Sequence, residues 1–252
     1  MSFIIAVAGK GGTGKTTVAS LLVSLLAKRK QGVVLGIDAD PNSNLAEALG
    51  LKVKEDIGAI VDSIAKNPAS VPVGMTKDKY IDFRIQTSML EDEGFDILTM
   101  GRPEGPGCYC YVNNLLRGLI RNLADKYEYI VIDNEAGFEH LSRRTMRRAD
   151  RLLLVSDSSE AGVRAAKRII ALVKELEIDI KNTGLILNRT DEVLLKDTIE
   201  DLGIETIGII PEDKHLLGLS RQGKPITSLE ESSRAFIEVK RILDKILNTK
   251  LQ

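Results

Sequence analysis

No apolar stretch in this 252-residue sequence approaches the roughly 20 residues that a membrane-spanning helix needs. The N-terminus has no basic segment followed by a cleavage site. Its first apolar run leads straight into a glycine-rich loop. Neither a secretory leader nor a membrane span is therefore expected. Cysteine is scarce: Cys108 and Cys110 are the only two, too few for a disulfide framework. A reducing, cytoplasmic location is the expectation that follows. Neither sign of charge dominates, since 35 Lys and Arg face 36 Asp and Glu. Broad electrostatic capture of nucleic acid is not expected from such a balance. No Pro/Gly/Ser-rich linker, repeat or low-complexity block divides the chain. One domain over residues 1–252 is expected, with 43% apolar residues to fill its core.

What is present is a phosphate-binding loop. Residues 9–16 read Gly-Lys-Gly-Gly-Thr-Gly-Lys-Thr and fit the pattern G-x-x-x-x-G-K-[ST]. Residues 3–8 before it are apolar and read as a buried strand. After it, Val18, Leu21, Leu22, Leu25 and Leu26 recur at helical spacing. Strand, loop and helix N-terminus in that order form the context the motif requires. Gly11, Gly12 and Gly14 let the backbone, with Thr13, wrap closely and aim N–H groups at phosphate oxygens. The helix dipole adds partial positive charge at the same place. Lys15 then reaches the β- and γ-phosphates, the Thr16 hydroxyl holds Mg²⁺, and Thr17 contacts the α-phosphate. The ligands expected are ATP or ADP with Mg²⁺. Lys10 is an additional lysine directly after the first glycine.

Apolar runs at 33–37, 95–100, 129–132, 151–155, 183–187 and 204–210 alternate with helical patterns at 112–126, 160–176 and 193–202. This predicts an α/β fold, a mainly parallel central sheet with helices on both faces. Ligands in such folds sit at the carboxyl ends of the strands. Asp38 and Asp40 follow the second run; Asp38 suits the water shell of Mg²⁺ and Asp40 the orientation of an attacking water. A plain helix cap is the alternative reading of this pair. Asp133 follows the 129–132 run as a Walker B acid, and Gly137 four residues on could approach a γ-phosphate. Asn188 and Arg189 end one strand, where an amide suits an adenine edge. Pro211, Glu212 and Asp213 end the next and could wall the base. Residues 51–94 are harder to read: 57–65 looks helical, and Arg84 to Thr87 fits a short strand.

Together these elements resemble the deviant Walker A ATPases, a branch that includes the nitrogenase iron protein and the septum-site and plasmid-partition ATPases. The resemblance spans nearly the whole chain. It implies a homodimer closed by ATP, in which Lys10 reaches the nucleotide of the other subunit. Two further segments are more specific: residues 101–111, with Cys108-Tyr109-Cys110, and residues 133–144. Both look like the nickel-insertion accessory ATPase of carbon monoxide dehydrogenase, the CooC type. Nickel delivery to the nickel–iron–sulfur cluster of that enzyme is what the resemblance implies. Acetyl-CoA synthase is an alternative client.

The cysteine pair supports a metal on its own terms. In an extended segment, residues i and i+2 project to the same side. One pair offers two thiolates, whereas a closed thiolate site takes four. Two chains about a two-fold axis would supply them. Zn²⁺ could substitute for Ni²⁺, and a [4Fe–4S] cluster is a further possibility for four thiolates. A spatial-organising ATPase on membrane or DNA is a rival reading. Its membrane form needs an exposed amphipathic tail, and Phe236, Val239, Leu243 and Ile246 do share one helical face. Such a stripe usually faces a core.

Overall fold

The computed structural model describes residues 2–103, 108–135, 148–191 and 196–248. Eight strands form one sheet: β1 (Phe3–Gly9), β2 (Val34–Ala39), β3 (Leu90–Asp92), β4 (Phe95–Thr99), β5 (Tyr129–Asn134), β6 (Arg148–Ser156), β7 (Asp179–Asn188) and β8 (Glu205–Ile210). Their order is β3-β4-β2-β5-β1-β6-β7-β8. All neighbours pair in parallel except β3, which runs antiparallel to β4 at the edge. The helices are α1 (Lys15–Lys28), α2 (Asn44–Ala48), α3 (Ile57–Lys66), α4 (Lys77–Ser88), α5 (Cys108–Leu123), α6 (Glu160–Glu175), α7 (Lys196–Glu200), α8 (Lys214–Arg221) and α9 (Arg234–Asn248).

Strand β1 shows why the sheet is covered twice. Ile4, Ala6 and Ala8 join one apolar layer with residues of α3, α4, α5 and α6. Phe3, Ile5 and Val7 join the other with α1, α2 and α9. Continuous apolar runs, rather than alternating ones, are what a strand buried on both faces requires. The chain leaves β1 toward β2 on one side and later returns to β6 on the other. The strand order thus reverses at β1, and its carboxyl end opens onto the crevice where α/β folds bind ligands.

The expected α/β architecture is present, and two local readings need correction. Residues 84–87 are not a strand; they lie inside α4. Thr76 caps that helix by accepting from the Lys79 N–H, and Ile81 and Ile85 are buried one turn apart. The apolar spacing over the longer window decides the matter, because Arg84 is turned to an ion pair with Glu55. The helix expected from residue 112 starts earlier, so the backbone at Cys108 and Cys110 is helical rather than extended. The same-side argument for the pair, which assumes an extended chain, therefore does not apply.

The apolar stripe of α9 is settled by burial. Phe236, Val239, Leu243 and Ile246 are each at most 4% exposed. Ile242 of this helix packs so closely on β8 that a methyl group at Gly208 would lie 2.3 Å from its Cγ1. Each such side chain contributes about 1.5–3 kcal/mol by leaving water. Freeing the stripe for a membrane would forfeit that sum. No helix among the described residues is long and apolar enough to cross a membrane.

Asp213 anchors both α8 and α9. Its Oδ1 accepts from the N–H groups of His215 and Leu216, and its Oδ2 from the Ser233 hydroxyl and the Ala235 N–H. Burial alone would raise its pKa. The Ser233 hydroxyl and the N–H groups of Ala235, Leu216 and His215 outweigh that and hold it below the ordinary value. A depressed carboxylate stabilises the fold above its unfolded pKa, and that contribution is lost as pH falls through the folded one. Asp213→Ala is expected to cost roughly 2–3 kcal/mol at pH 7, as two helix caps are lost. Urea unfolding at pH 7 and pH 3 checks this: the gap between variant and parent should shrink at the lower pH.

Candidate functional site

The carboxyl ends of β1, β2, β5, β7 and β8 bring nearly all the expected site residues to one edge. Residues 9–16 loop from β1 into α1, as the pattern required. Thr13 is buried, and its hydroxyl donates to the Lys10 carbonyl at 2.9 Å. Lys15 is only 7% exposed and lies under the loop, its Nζ 3.4 Å from the same carbonyl. Burial lowers its pKa, opposed by the carboxylates of Asp133, Asp40 and Glu135. Lys10 is different. It is exposed, and among the described residues its ammonium has no partner.

The sheet register brings two acids side by side. Asp133 on β5 lies opposite Val7 on β1 and Asp38 on β2. Both acids are at most 1% exposed. Asp38 accepts from the Asp40 N–H at 3.1 Å and from the Leu45 N–H at 2.7 Å, which ties α2 to the strand end. Burial pushes its pKa up to about 7; the Leu45 N–H opposes this and Asp133 adds to it. Asp133 is pushed up to about 6 by burial, against the pull of Thr16 and Lys15 and helped by Asp40. Among the described residues, neither Asp133 oxygen makes a hydrogen bond of ordinary geometry. Buried, unsatisfied acceptors are costly and call for a partner. Thr16, Asp38 and Asp133 form an all-oxygen donor set that fits Mg²⁺. Asp40 is half-buried, and its Oδ1 accepts from the backbone and side-chain nitrogens of Asn42.

A cavity of about 330 Å³ opens beside the loop. Thr16, Thr17, Asn188, Arg189, Pro211, Glu212 and Asp213 all line it. Residues from three separate parts of the sequence thus meet in one cavity. Asn44 and Glu47 of α2 and Lys224 are among its other lining residues, and sequence reasoning missed them. No local pattern marks them, because α2 reaches the cavity through the Asp38–Leu45 bond. Asp213 lines the cavity, yet both its oxygens are taken by helix caps. An acid followed directly by a helical pattern is the signal that identifies such a cap. Gly137 and the residues around it lie outside the described residues. So do the side chains of Cys108 and Cys110. Among the described residues no group of three or more His, Cys, Asp or Glu forms a metal cluster.

A profile of the CobQ/CobB/MinD/ParA nucleotide-binding domain matches residues 4–226. This chain belongs to that family. It is a P-loop ATPase of the MinD/ParA type, with the mostly parallel sheet of that fold. The chain is similar to an uncharacterised ATP-binding protein of Methanocaldococcus jannaschii, 42% identical over 98% of this chain and 99% of the relative. It is also similar to the carbon monoxide dehydrogenase accessory protein CooC of Rhodospirillum rubrum, 29% identical over 91% of each chain. Among solved structures, the MinD cell division protein of Aquifex aeolicus is 26% identical with a TM-score of 0.70, over 98% of this chain and 97% of that one. The MinD/ParA-type ATPase described here thus has relatives with different named tasks, and the fold does not choose between them.

Proposed function

We propose that this ATPase is a metallochaperone that carries Ni²⁺ on Cys108 and Cys110 of two chains. It uses ATP hydrolysis to help insert the ion into the active-site cluster of carbon monoxide dehydrogenase. One observation carries the reading: the Cys-x-Cys pair begins α5, the helix that follows the end of β4, where Met100 is hydrogen-bonded to Asp38. The Asp38 carbonyl accepts from the Met100 N–H at 2.9 Å, and the Met100 carbonyl accepts from the Gly58 N–H of α3 at 2.9 Å. Helix α5 then packs its Val112, Leu116 and Leu119 into the same apolar layer as Ile57, Ile60 and Ile64 of α3. In this reading a shift at Asp38 moves α3 and, through the shared apolar layer, α5. Similarity to the carbon monoxide dehydrogenase accessory protein CooC supports that enzyme as the client.

In this reading Lys15 and the backbone N–H groups of residues 11–16 bind the phosphates. Asp40 orients the attacking water, and Gly137 follows the γ-phosphate. Thr16, Asp38 and Asp133 hold Mg²⁺, which neutralises phosphate charge when bound. Exposed Lys10 reaches the nucleotide of the partner subunit, so that ATP and the metal complete their sites about the same two-fold axis. Asn188, Arg189, Pro211 and Glu212 surround the base.

Nickel titration of the ATP-loaded protein, with gel filtration, tests the reading. One Ni²⁺ per two chains is expected, with loss of binding in the Cys108→Ala, Cys110→Ala double variant. Unchanged stoichiometry in that variant would place the metal elsewhere. Anaerobic purification of a brown protein would instead identify an iron–sulfur cluster as the cargo.

A further inference from the structure

Two side chains at the end of β7 hold carbonyls of the phosphate loop. The Asn188 Nδ2 donates to the Thr13 carbonyl at 2.7 Å, and the Arg189 Nη1 donates to the Gly12 carbonyl at 3.1 Å. Asn188 is 5% exposed, so its bond is sheltered from water. The position of these residues is set from far away: Asn188 pairs with Ile210 on β8, and the two residues joined by the Asn188 bond are 175 apart in sequence. Arg189 adopts a left-handed backbone, φ +59°, which a non-glycine residue takes at a cost. That conformation accompanies a guanidinium that reaches back to Gly12.

We infer that Asn188, with Arg189, is a positioning residue for the phosphates as well as a wall of the base cavity. A trans peptide unit links the two ends of this contact. Its carbonyl and its N–H point in opposite directions. Holding the Thr13 carbonyl on Asn188 turns the Gly14 N–H to the opposite side. A loop that binds phosphate must aim its N–H groups inward, so its carbonyls have to be held outward. Without an outside donor, a buried carbonyl is free to turn in and meet the phosphate with like charge. The two bonds from β7 therefore hold the loop in its binding shape before nucleotide arrives. Such preorganisation removes an ordering cost from the binding step.

Asn188 lines the same cavity that Thr16 and Thr17 open onto. Base and phosphate ends of the nucleotide are thus linked through one amide.

The test separates the two ends of the nucleotide. Inorganic tripolyphosphate has no base, and adenosine has no phosphate. Isothermal titration of each into the parent protein and Asn188→Ala is expected to show tripolyphosphate binding about tenfold weaker in the variant, the weight of one buried hydrogen bond. A change confined to adenosine, or none for either ligand, would overturn the inference. Asn188→Leu fills the volume without supplying a donor; it carries the same test if the alanine variant unfolds. Arg189→Gln keeps a donor but not the charge. Retention of tripolyphosphate affinity in Arg189→Gln, beside its loss in Arg189→Ala, is expected if the bond to Gly12 matters. Equal loss in both would assign Arg189 to charge alone.

Discussion

Asp133→Asn is expected to lower Mg²⁺-dependent ATP turnover on the order of a hundredfold or more, the weight of removing one preorganised charge from a phosphoryl-transfer site. The same substitution is expected to stabilise the nucleotide-free protein at pH 8. Asp133 is 1% exposed, its oxygens make no hydrogen bond of ordinary geometry among the described residues, and burial pushes its pKa up to about 6. The fold therefore binds this proton more tightly than the unfolded chain does. Its contribution to stability is full below about pH 4, the ordinary value for an aspartate, and is lost as pH rises through 6. Asp38, pushed up to about 7, acts in the same direction. An amide carries no charge to bury, though it leaves its own hydrogen bonds unmade. The net gain at pH 8 is of order 1 kcal/mol, or about 2–4 °C in Tm. At pH 5 the gain should vanish, because Asp133 is then protonated in the parent. Thermal unfolding at both pH values, alongside phosphate release with Mg²⁺, reads both effects. A variant that is destabilised equally at the two pH values would show that Asp133 carries no buried charge.

Gly14→Ala is expected to weaken ADP binding roughly a hundredfold, from backbone strain plus the loss of one buried hydrogen bond. Gly14 has φ +93°, a conformation that costs any side chain. A methyl group there would also lie 2.3 Å from the Asn188 Nδ2, too close to coexist with the bond from that nitrogen to Thr13. Gly12 is the internal control. Its φ is +80°, yet nothing lies within 4 Å of an added methyl. Gly12→Ala should pay the strain alone and weaken binding by about tenfold. Titration calorimetry on both variants measures the gap. Equal losses would mean that the contact with Asn188 has no weight.

Short-range patterns were legible wherever a local physical cause makes them. Two-sided burial demands continuous apolar strands, phosphate binding demands glycines at fixed spacing, and a parallel sheet demands ligands at its strand ends. Lys15, Asp38 and Asp133 were singled out in this way, and the structure places them near one another. The misreadings were local as well. Arg84 to Thr87 looked like a strand because four residues are too few to show the Ile81–Ile85 period. Cysteines two apart looked paired because an extended backbone was assumed where α5 had begun.

The sequence by itself determined the α/β class, the phosphate loop and the set of acids beside it, since each depends on spacing along the chain. Only the tertiary structure decided what those residues touch. The sheet register set buried Asp133 beside buried Asp38, and burial is what raises both pKa values. Asp213 became a cap for two helices because α8 and α9 start on either side of it. Asn188 came to hold Thr13 because β7 ends against the loop. Contacts of this kind join residues far apart in the chain. Their energies depend on desolvation and orientation, which no local pattern encodes.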